Sequence, residues 1–423
     1  MTAEIAIMNK YGVALAADSA VTIGNGEKIY NSANKLFELS KYAPIGIMIY
    51  GSAEFVGTPW ETIIKRYRDK SLNDKIFDTI DDYFNDFLNF LENTDTVFEY
   101  NEKDLVTNHI KGIIASIEKE YQKRAMEIFN DEQTRKHANI NDVFIDVIKS
   151  FITYVNSETA KQSIPKVIIQ KFSKQFRKHI VDIYNEAYQN LPKTLFNSLV
   201  TASLKSLLLP GFHRSKSGIV IAGFGEKDIF PTSNSCEISA RLCGYIVKSE
   251  IQQTSVLQDG ACIQPFAQRE MVDTFIKGVD PSYENFLQTT LESTLLQITD
   301  SITNAINKHN PALIQSSNLT GVTETLLKSI QSTISKYQLE NYIHPIVNSV
   351  GILPLSELAE MARSLISLTS FKRRVSMHPE SVGGPIDVAV ISKGDGFIWI
   401  DRKHYFKAEL NPNYFERKKR KEQ

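Results

Sequence analysis

The chain opens with the alternation of apolar and polar side chains that is typical of a β-strand. Alternate positions are apolar over 3–7, and the period of two resumes over 13–17 after a turn at 10–12. The nearly unbroken apolar run 44–50 has the composition of a strand buried on both faces. The sequence therefore predicts a hairpin that starts at the second residue, followed by a further buried strand.

Helical periodicity replaces this pattern after residue 60. Apolar side chains recur at spacings of three and four through four long stretches, 104–129, 140–156, 165–190 and 192–209. We predict that residues 61–212 form a helical insertion. Its candidate roles are gating a site, extending an assembly, binding an unknown regulator, or adding stability alone.

Strand character returns at 218–225 and 238–247, and it closes the chain at 386–400. Helical periodicity interrupts these strands over 281–352, which predicts a second helical insertion. The order of strands, helices, strands, helices and strands indicates the α+β class.

Composition narrows the function classes. The 423 residues include 48 basic and 49 acidic side chains, so no overall field attracts nucleic acid or an anionic membrane. The basic tail 411–423 is predicted to be solvated. The three cysteines and eight histidines lack metal-ligand spacing, so we predict no metal and no cofactor. With no signal segment or apolar run of membrane length, we expect a cytoplasmic protein.

The candidate chemistry lies at the N-terminus. Removal of Met1 exposes the amine and the hydroxyl of Thr2 on one residue, and an α-amine with a pKa near 8 is able to accept the hydroxyl proton. Asp18 ends the second strand and Lys35 begins a later one. We expect Lys35 to lower the pKa of the hydroxyl and the amine, and Asp18 to hold Lys35 in place.

These residues belong to four stretches that resemble the N-terminal part of proteasome β subunits and of the bacterial HslV-type peptidase, both N-terminal nucleophile (Ntn) hydrolases. The stretches are Thr2, Tyr11–Ser19, Lys35–Leu39 and Gly46–Ala53. Thr2 and Asp18 are 16 positions apart, as in the family pattern, whereas Lys35 lies one residue farther from Asp18 than usual.

The resemblance implies a four-layer αββα sandwich formed by residues 2–60 and 213–410. It implies that the backbone N–H of Tyr50, where the family usually has glycine, contributes to an oxyanion hole. Glu380 and Ser381 stand out of register with the Asp and Ser that support the amine in the family, and with a shifted loop they are expected to take the same role. The second supporting serine, expected near 266–268, has no clear counterpart.

The leading hypothesis is a threonine peptidase or amidohydrolase that cleaves a peptide, a protein or a small amide, and that forms a homo-oligomer, in this family often a ring. The alternative is an inactive structural or interaction subunit whose helical insertion binds partners. It is motivated by the displaced Glu380 and Ser381 and by the missing serine.

Overall fold

The computed structural model of the protein describes residues 3–23, 28–94, 101–130, 139–162, 164–256, 260–309, 319–376 and 382–416. Antiparallel sheets and long helices share this part of the chain. The predicted α+β class is confirmed.

The first sheet has five antiparallel strands in the order β13-β1-β2-β14-β15. Its strands are β1 (Ala3–Asn9), β2 (Gly12–Ala17), β13 (Ala261–Ala267), β14 (Asp387–Ser392) and β15 (Gly396–Asp401). The predicted opening hairpin is β1 and β2, and strands from the far end of the chain flank it on both sides. The start of β1 therefore lies inside the sheet, where residues distant in sequence surround it.

The second sheet has the order β11-β10-β9-β6-β5, with β12 also paired to β10. Its strands are β5 (Leu36–Glu38), β6 (Ile45–Gly51), β9 (Ser217–Gly223), β10 (Thr232–Leu242), β11 (Tyr245–Lys248) and β12 (Gln252–Ser255). Two short ribbons, β3 (Val21–Ile23) with β4 (Lys28–Tyr30) and β7 (Glu54–Phe55) with β8 (Thr58–Pro59), lie outside both sheets.

The stretch 238–247, which the pattern predicts to be strand throughout, is instead the β10–β11 hairpin. Cys243 and Gly244 both have positive φ, 53° and 79°. A two-residue hairpin turn that matches the twist of its strands requires positive φ at both positions. The first turn position is a cysteine instead of the Asn, Asp or Gly that usually signals this turn, so the sequence pattern does not predict it.

The helices follow the predicted stripes closely. They are α1 (Trp60–Arg66), continued by a π-helical turn at Tyr67–Leu72, α2 (Ile80–Asn93), α3 (Glu102–Asn130), α4 (Ile140–Ala160), α5 (Lys166–Ala187), α6 (Lys193–Ser206), α7 (Glu270–Lys277), α8 (Pro281–His309), α9 (Leu319–Gln338), α10 (His344–Val350) and α11 (Leu355–Val375). Among these described residues, no helix is both long and apolar enough to cross a membrane.

Side-chain alternation lets each sheet pack on two faces. The inner faces meet in a core that contains Ala6, Met8, Val13, Leu15, Met48, Val220 and Ala389. The outer face of the first sheet packs on α10 and α11, through side chains that include Ile5, Ile7, Leu358 and Ile366. The outer face of the second sheet packs on α1 and α2, through side chains that include Ile47, Ile219, Ile63 and Phe84.

Helices α3 to α6 have an apolar core of their own. They are fixed to the second sheet at the β10–β11 turn, where the N–H of Cys243 donates to Glu102 of α3 at 2.7 Å and its carbonyl accepts from Lys171 of α5 at 2.6 Å. Since α1 and α2 cover the sheet, the part of 61–212 that packs separately begins near residue 101. The division into domains stays a prediction.

Gly218 of β9 gives a test of the packing between the sheets. A Cβ at Gly218 would overlap the ring of Tyr50, which also stacks on Phe266 at 5.8 Å between ring centroids. We expect Gly218→Ala to lower the free energy of unfolding by about 1–3 kcal/mol, because the ring has to leave its position. Denaturant unfolding measures this.

Gly211→Ala is the matched control, because a Cβ there meets nothing within 4 Å, and we expect a change within about 0.5 kcal/mol. Adding Tyr50→Ala to Gly218→Ala should recover part of the loss. Equal effects of the two glycine substitutions would contradict the described contact.

Candidate active site

Asp18 follows β2 and is fully buried, and its carboxylate accepts four hydrogen bonds. One oxygen accepts from Lys35 Nζ at 2.6 Å and from the N–H of Ala3 at 3.0 Å. The other accepts from the N–H groups of Ala20 at 3.1 Å and Gly383 at 3.0 Å. A buried carboxylate needs such partners, and these come from four separate stretches of the chain.

Lys35 lies just before β5 and is only 4% exposed. Its ammonium donates to Asp18 and, at 2.6 Å, to the carbonyl oxygen of Ala20. Burial lowers the pKa of Lys35, although the negative charges of Asp18 and Glu4 act in the opposite direction. Its carbonyl accepts from the N–H of Ile49 at 2.9 Å, which places the end of β6 beside it.

Thr2 lies outside the described residues, but the residue after it is well defined. Ala3 donates its N–H to the Asp18 carboxylate, and its carbonyl accepts from the N–H of Asp18 at 3.1 Å. The backbone that continues directly from Thr2 is thus fixed against the ion pair of Asp18 and Lys35.

Tyr50 occupies the penultimate position of β6, next to Ile49 and directly opposite Gly218 of β9. Its half-buried ring fills the space between the sheets, where burial, together with the nearby carboxyls of Glu237 and Glu4, raises the pKa of its hydroxyl. The predicted contribution of its backbone N–H to an oxyanion hole stays a prediction.

Glu380 and Ser381 also lie outside the described residues. Residues 383–385, which follow them, are hydrogen-bonded to Asp18 and Ser19. Ser19 donates its N–H to the carbonyl of Gly383 at 3.1 Å and its hydroxyl to the carbonyl of Pro385. Their predicted role is neither supported nor excluded by these contacts.

No serine occupies the position where a second supporting hydroxyl was expected. Ala267 lies directly opposite Ala3 in the first sheet and has a φ of 61°, which is unusual for a residue with a Cβ. Gln268, which follows it, accepts a hydrogen bond from Arg373. This side of the site therefore presents a methyl group instead of a hydroxyl.

Glu4 is the residue that reasoning from the sequence missed. It is 1% exposed, and neither carboxyl oxygen has a hydrogen-bond partner among the described residues. Burial raises the pKa of Glu4 well above its usual value; Lys35 opposes this shift and Asp18 adds to it. The available signal was one acidic residue in a strand whose other side chains, up to Asn9, are apolar.

A second buried ion pair lies near the first. Asp387, at the start of β14, accepts from both the side chain and the N–H of Lys403. Lys403 contributes to the lowered pKa of Lys35. Two aspartates thus balance two lysines, and Glu4 has no cation of its own, which favours its neutral form.

Comparisons with known proteins add little beyond this geometry. No protein-family model matches the chain, and no curated protein matches it. Solved structures similar to it include Anbu (ancestral beta-subunit) from Yersinia bercovieri, with 9% identity, a TM-score of 0.30, and coverage of 98% of this chain and 93% of that one. The helical assembly of the Anbu complex from Pseudomonas aeruginosa gives 8% identity, a TM-score of 0.32, and coverage of 98% and 92%.

These findings correct the family assignment drawn from the sequence. The assignment of the chain to the proteasome β subunits, HslV-type peptidases and Ntn hydrolases is wrong. No family model matches the chain, and TM-scores of 0.30 and 0.32 are too low to support a shared family. The specific motifs behind the resemblance lie within residues 2–60, and the looser likeness at 218–225 and 383–390 adds no family assignment. The site has to be judged on its own contacts.

Glu4 generates a prediction about pH. Its folded-state pKa lies above its ordinary value of 4.5, so the neutral carboxyl stabilises the fold fully below pH 4.5 and this stabilisation is lost as pH rises through the folded pKa. We expect Glu4→Gln to raise the free energy of unfolding increasingly as pH rises through the folded pKa of Glu4, with little change at pH 4.

Denaturant unfolding at a series of pH values tests this. Glu186→Gln, on the exposed surface of α5, is the matched control and should follow the wild type at every pH. If the wild type and Glu4→Gln lose stability in parallel as pH rises, Glu4 does not have the raised pKa.

Proposed function

We propose that this protein hydrolyses amide bonds, with Thr2 acting as nucleophile and base after Met1 is removed. The observation that carries the proposal is the buried ion pair of Asp18 and Lys35, bonded to the backbone of Ala3 at 3.0 Å. A buried ion pair costs desolvation energy, so its position beside the residue after Thr2 favours a chemical role.

The chemistry follows from the residue types. The neutral α-amine of Thr2 accepts the proton of its own hydroxyl, directly or through water, and the oxygen attacks the carbonyl carbon of the amide. The tetrahedral intermediate collapses to an ester as the protonated amine gives its proton to the departing nitrogen. Water then hydrolyses the ester and frees Thr2.

Lys35 supplies positive charge that favours the ionised hydroxyl, and Asp18 keeps Lys35 in position. The backbone N–H of Tyr50 is our candidate donor to the developing oxyanion, because β6 ends beside Lys35. Glu380 and Ser381 remain candidates for supporting the amine, since they precede Gly383, whose N–H is bonded to Asp18.

The proposal extends to the architecture. The two sheets and the helices on their outer faces are taken as a four-layer αββα sandwich. The predicted ranges 2–60 and 213–410 supply both sheets, while the helices on the second sheet, α1 and α2, come from the start of 61–212. The segments 61–212 and 281–352 are taken as helical insertions. Peptides, proteins and small amides all remain substrates compatible with this chemistry.

An inactive structural or interaction subunit is the second candidate. Ala267 favours it, because a methyl group faces the start of β1 where a hydroxyl was expected. In that case the ion pair of Asp18 and Lys35 only fixes the strands.

Intact mass spectrometry before and after incubation with a β-lactone or epoxyketone probe tests the proposal. We expect a mass without Met1 and a single adduct that maps to Thr2. Thr2→Ala should remove the adduct and lower amide hydrolysis by at least about 1,000-fold, with unchanged thermal unfolding.

Thr2→Ser is the control that keeps a hydroxyl, and it should still be labelled. Retention of Met1, or a free Thr2 that never reacts, would favour the structural subunit. Equal hydrolysis by the wild type and Thr2→Ala would remove Thr2 as the nucleophile.

A further inference from the structure

A large cleft lies where helices α3 and α4 approach the chain segment that leads into β9. It has a volume of about 770 Å³, which is in the range of small-molecule and peptide sites. A second cavity of about 260 Å³ adjoins it. The two share five lining residues, Val56, Gly57, Leu105, Ser215 and Ser239. We call the combined space the insertion cleft.

The smaller part of the insertion cleft lies at the end of β6. Ser52 and Ser217 line this part. Ser217 lies opposite Gly51 in the second sheet, and Gly218 lies opposite Tyr50. Ser52 is therefore two residues along the chain from Tyr50, whose backbone N–H is proposed for the oxyanion hole, and the larger part of the cleft lies toward the helices.

Both apolar and charged groups line the larger part. Its apolar side chains are Val56, Leu105, Ile113, Phe151, Tyr154 and Phe212. His109 and His213 stack at 5.0 Å between ring centroids, and burial, with a smaller contribution from His213, lowers the pKa of His109 to about 3. Both histidines are neutral at pH 7, since burial also lowers the pKa of His213.

Arg214 is the fixed positive charge of the cleft lining, which also carries the carboxylates of Asp104 in the larger part and Glu54 in the smaller part. Its side chain lies over Gly112 of α3 and forms no hydrogen bond or ion pair with any described residue. An unpaired guanidinium at the rim of an apolar cleft is suited to bind a carboxylate through two parallel hydrogen bonds.

We propose that the insertion cleft binds the substrate of the hydrolase as an extended peptide. Apolar side chains next to the cleaved bond enter the apolar part, and an acidic side chain farther along the peptide pairs with Arg214. This rests on the proposed function, and it gives α3, α4 and the segment that leads into β9 the task of selecting acidic-apolar peptides.

Equilibrium binding to the Thr2→Ala protein tests the cleft without requiring catalysis. The probes are a fluorescein-labelled hexapeptide with one glutamate and two leucines, and its counterpart with glutamine in place of glutamate. Fluorescence polarisation should show that Arg214→Gln weakens binding of the glutamate peptide about fivefold to tenfold and leaves the glutamine peptide unchanged. Added salt should reduce the difference.

Lys216→Gln is the matched control, because this substitution also removes a positive charge close to Arg214 in sequence. Lys216 pairs with Glu237 at 3.5 Å and does not line the cleft. It should leave both affinities unchanged. Equal affinity for the two peptides, or no binding of either, overturns the cleft proposal. Labelling of Thr2 by the lactone or epoxyketone probe reports on the proposed function separately.

A different observation concerns α8 and α9, which together form what we call the helical arm. Residues 281–308 contain no buried side chain. In 321–338, the side chain of Thr323 is buried and the others are exposed or partly exposed. The arm nevertheless exposes large apolar side chains, namely Tyr283, Phe286, Leu287, Leu296, Ile298, Ile302, Val322, Leu326, Ile334 and Tyr337. Exposed apolar surface on this scale marks an interaction site, and two such helix pairs together would supply the helices of a four-helix bundle.

We infer that the helical arm associates with the arm of a second copy of this chain. Helix α8 is net negative, with Glu284, Glu292 and Asp300 against Lys308, whereas α9 is net positive, with Lys328 and Lys336 against Glu324. A two-fold arrangement that places α8 on the partner's α9 pairs opposite charges. The exposed apolar side chains bury roughly 1,000 Å² per copy, about what a stable dimer needs.

Sedimentation velocity of the full chain tests the inference. We expect the wild type to form dimers or larger species at micromolar concentration, and Phe286→Glu combined with Ile302→Glu to raise the dissociation constant at least about 100-fold. The matched control is Met126→Glu with Val167→Glu, at exposed positions on α3 and α5, which should sediment as the wild type does. A monomeric wild type, or an arm variant of unchanged mass, overturns the inference.

Discussion

The carboxylate of Asp18 is the interaction on which the rest of the structure depends. It joins the start of β1, the bend after β2, the lysine before β5 and the backbone just before β14 through four hydrogen bonds. No local element brings these segments together, since Gly383 is 365 residues away from Asp18. Loss of the carboxylate would leave Lys35 buried and unpaired, which costs more than the ion pair itself contributes.

Around this carboxylate the buried charges balance. Asp18 and Asp387 each hold one lysine, and Glu4 stays without a partner among the described residues. In a medium that disfavours isolated charge, the balance is kept when Glu4 carries its proton. The candidate site therefore combines the ion pair of Asp18 and Lys35 with the carboxyl of Glu4, whose neutral form is favoured by burial.

The helices divide into groups with different surroundings. Helices α1, α2, α10 and α11 cover the sheets and share their cores. Helices α3 to α6 have their own core, and α3 and α4 form one wall of the insertion cleft. The helical arm has almost no buried surface. The helices that cover the sheets contribute to the fold, whereas substrate selection and association are what we propose for the other two groups.

Local patterns determined much of this protein. Alternation over 3–17 set β1 and β2, and apolar spacing of three and four set most of the long helices, because each such signal depends only on neighbouring residues. The sequence also singled out Asp18 and Lys35 as a charged pair. It did not identify the turn at Cys243, the isolation of Glu4, or the methyl group of Ala267 opposite Ala3. Motifs within 2–60 also suggested a family that the comparisons do not support. The turn at Cys243 is local, but its cysteine gives no turn signal. Only the tertiary structure decided the surroundings of Glu4 and Ala267, because each depends on segments that meet from far apart in the chain.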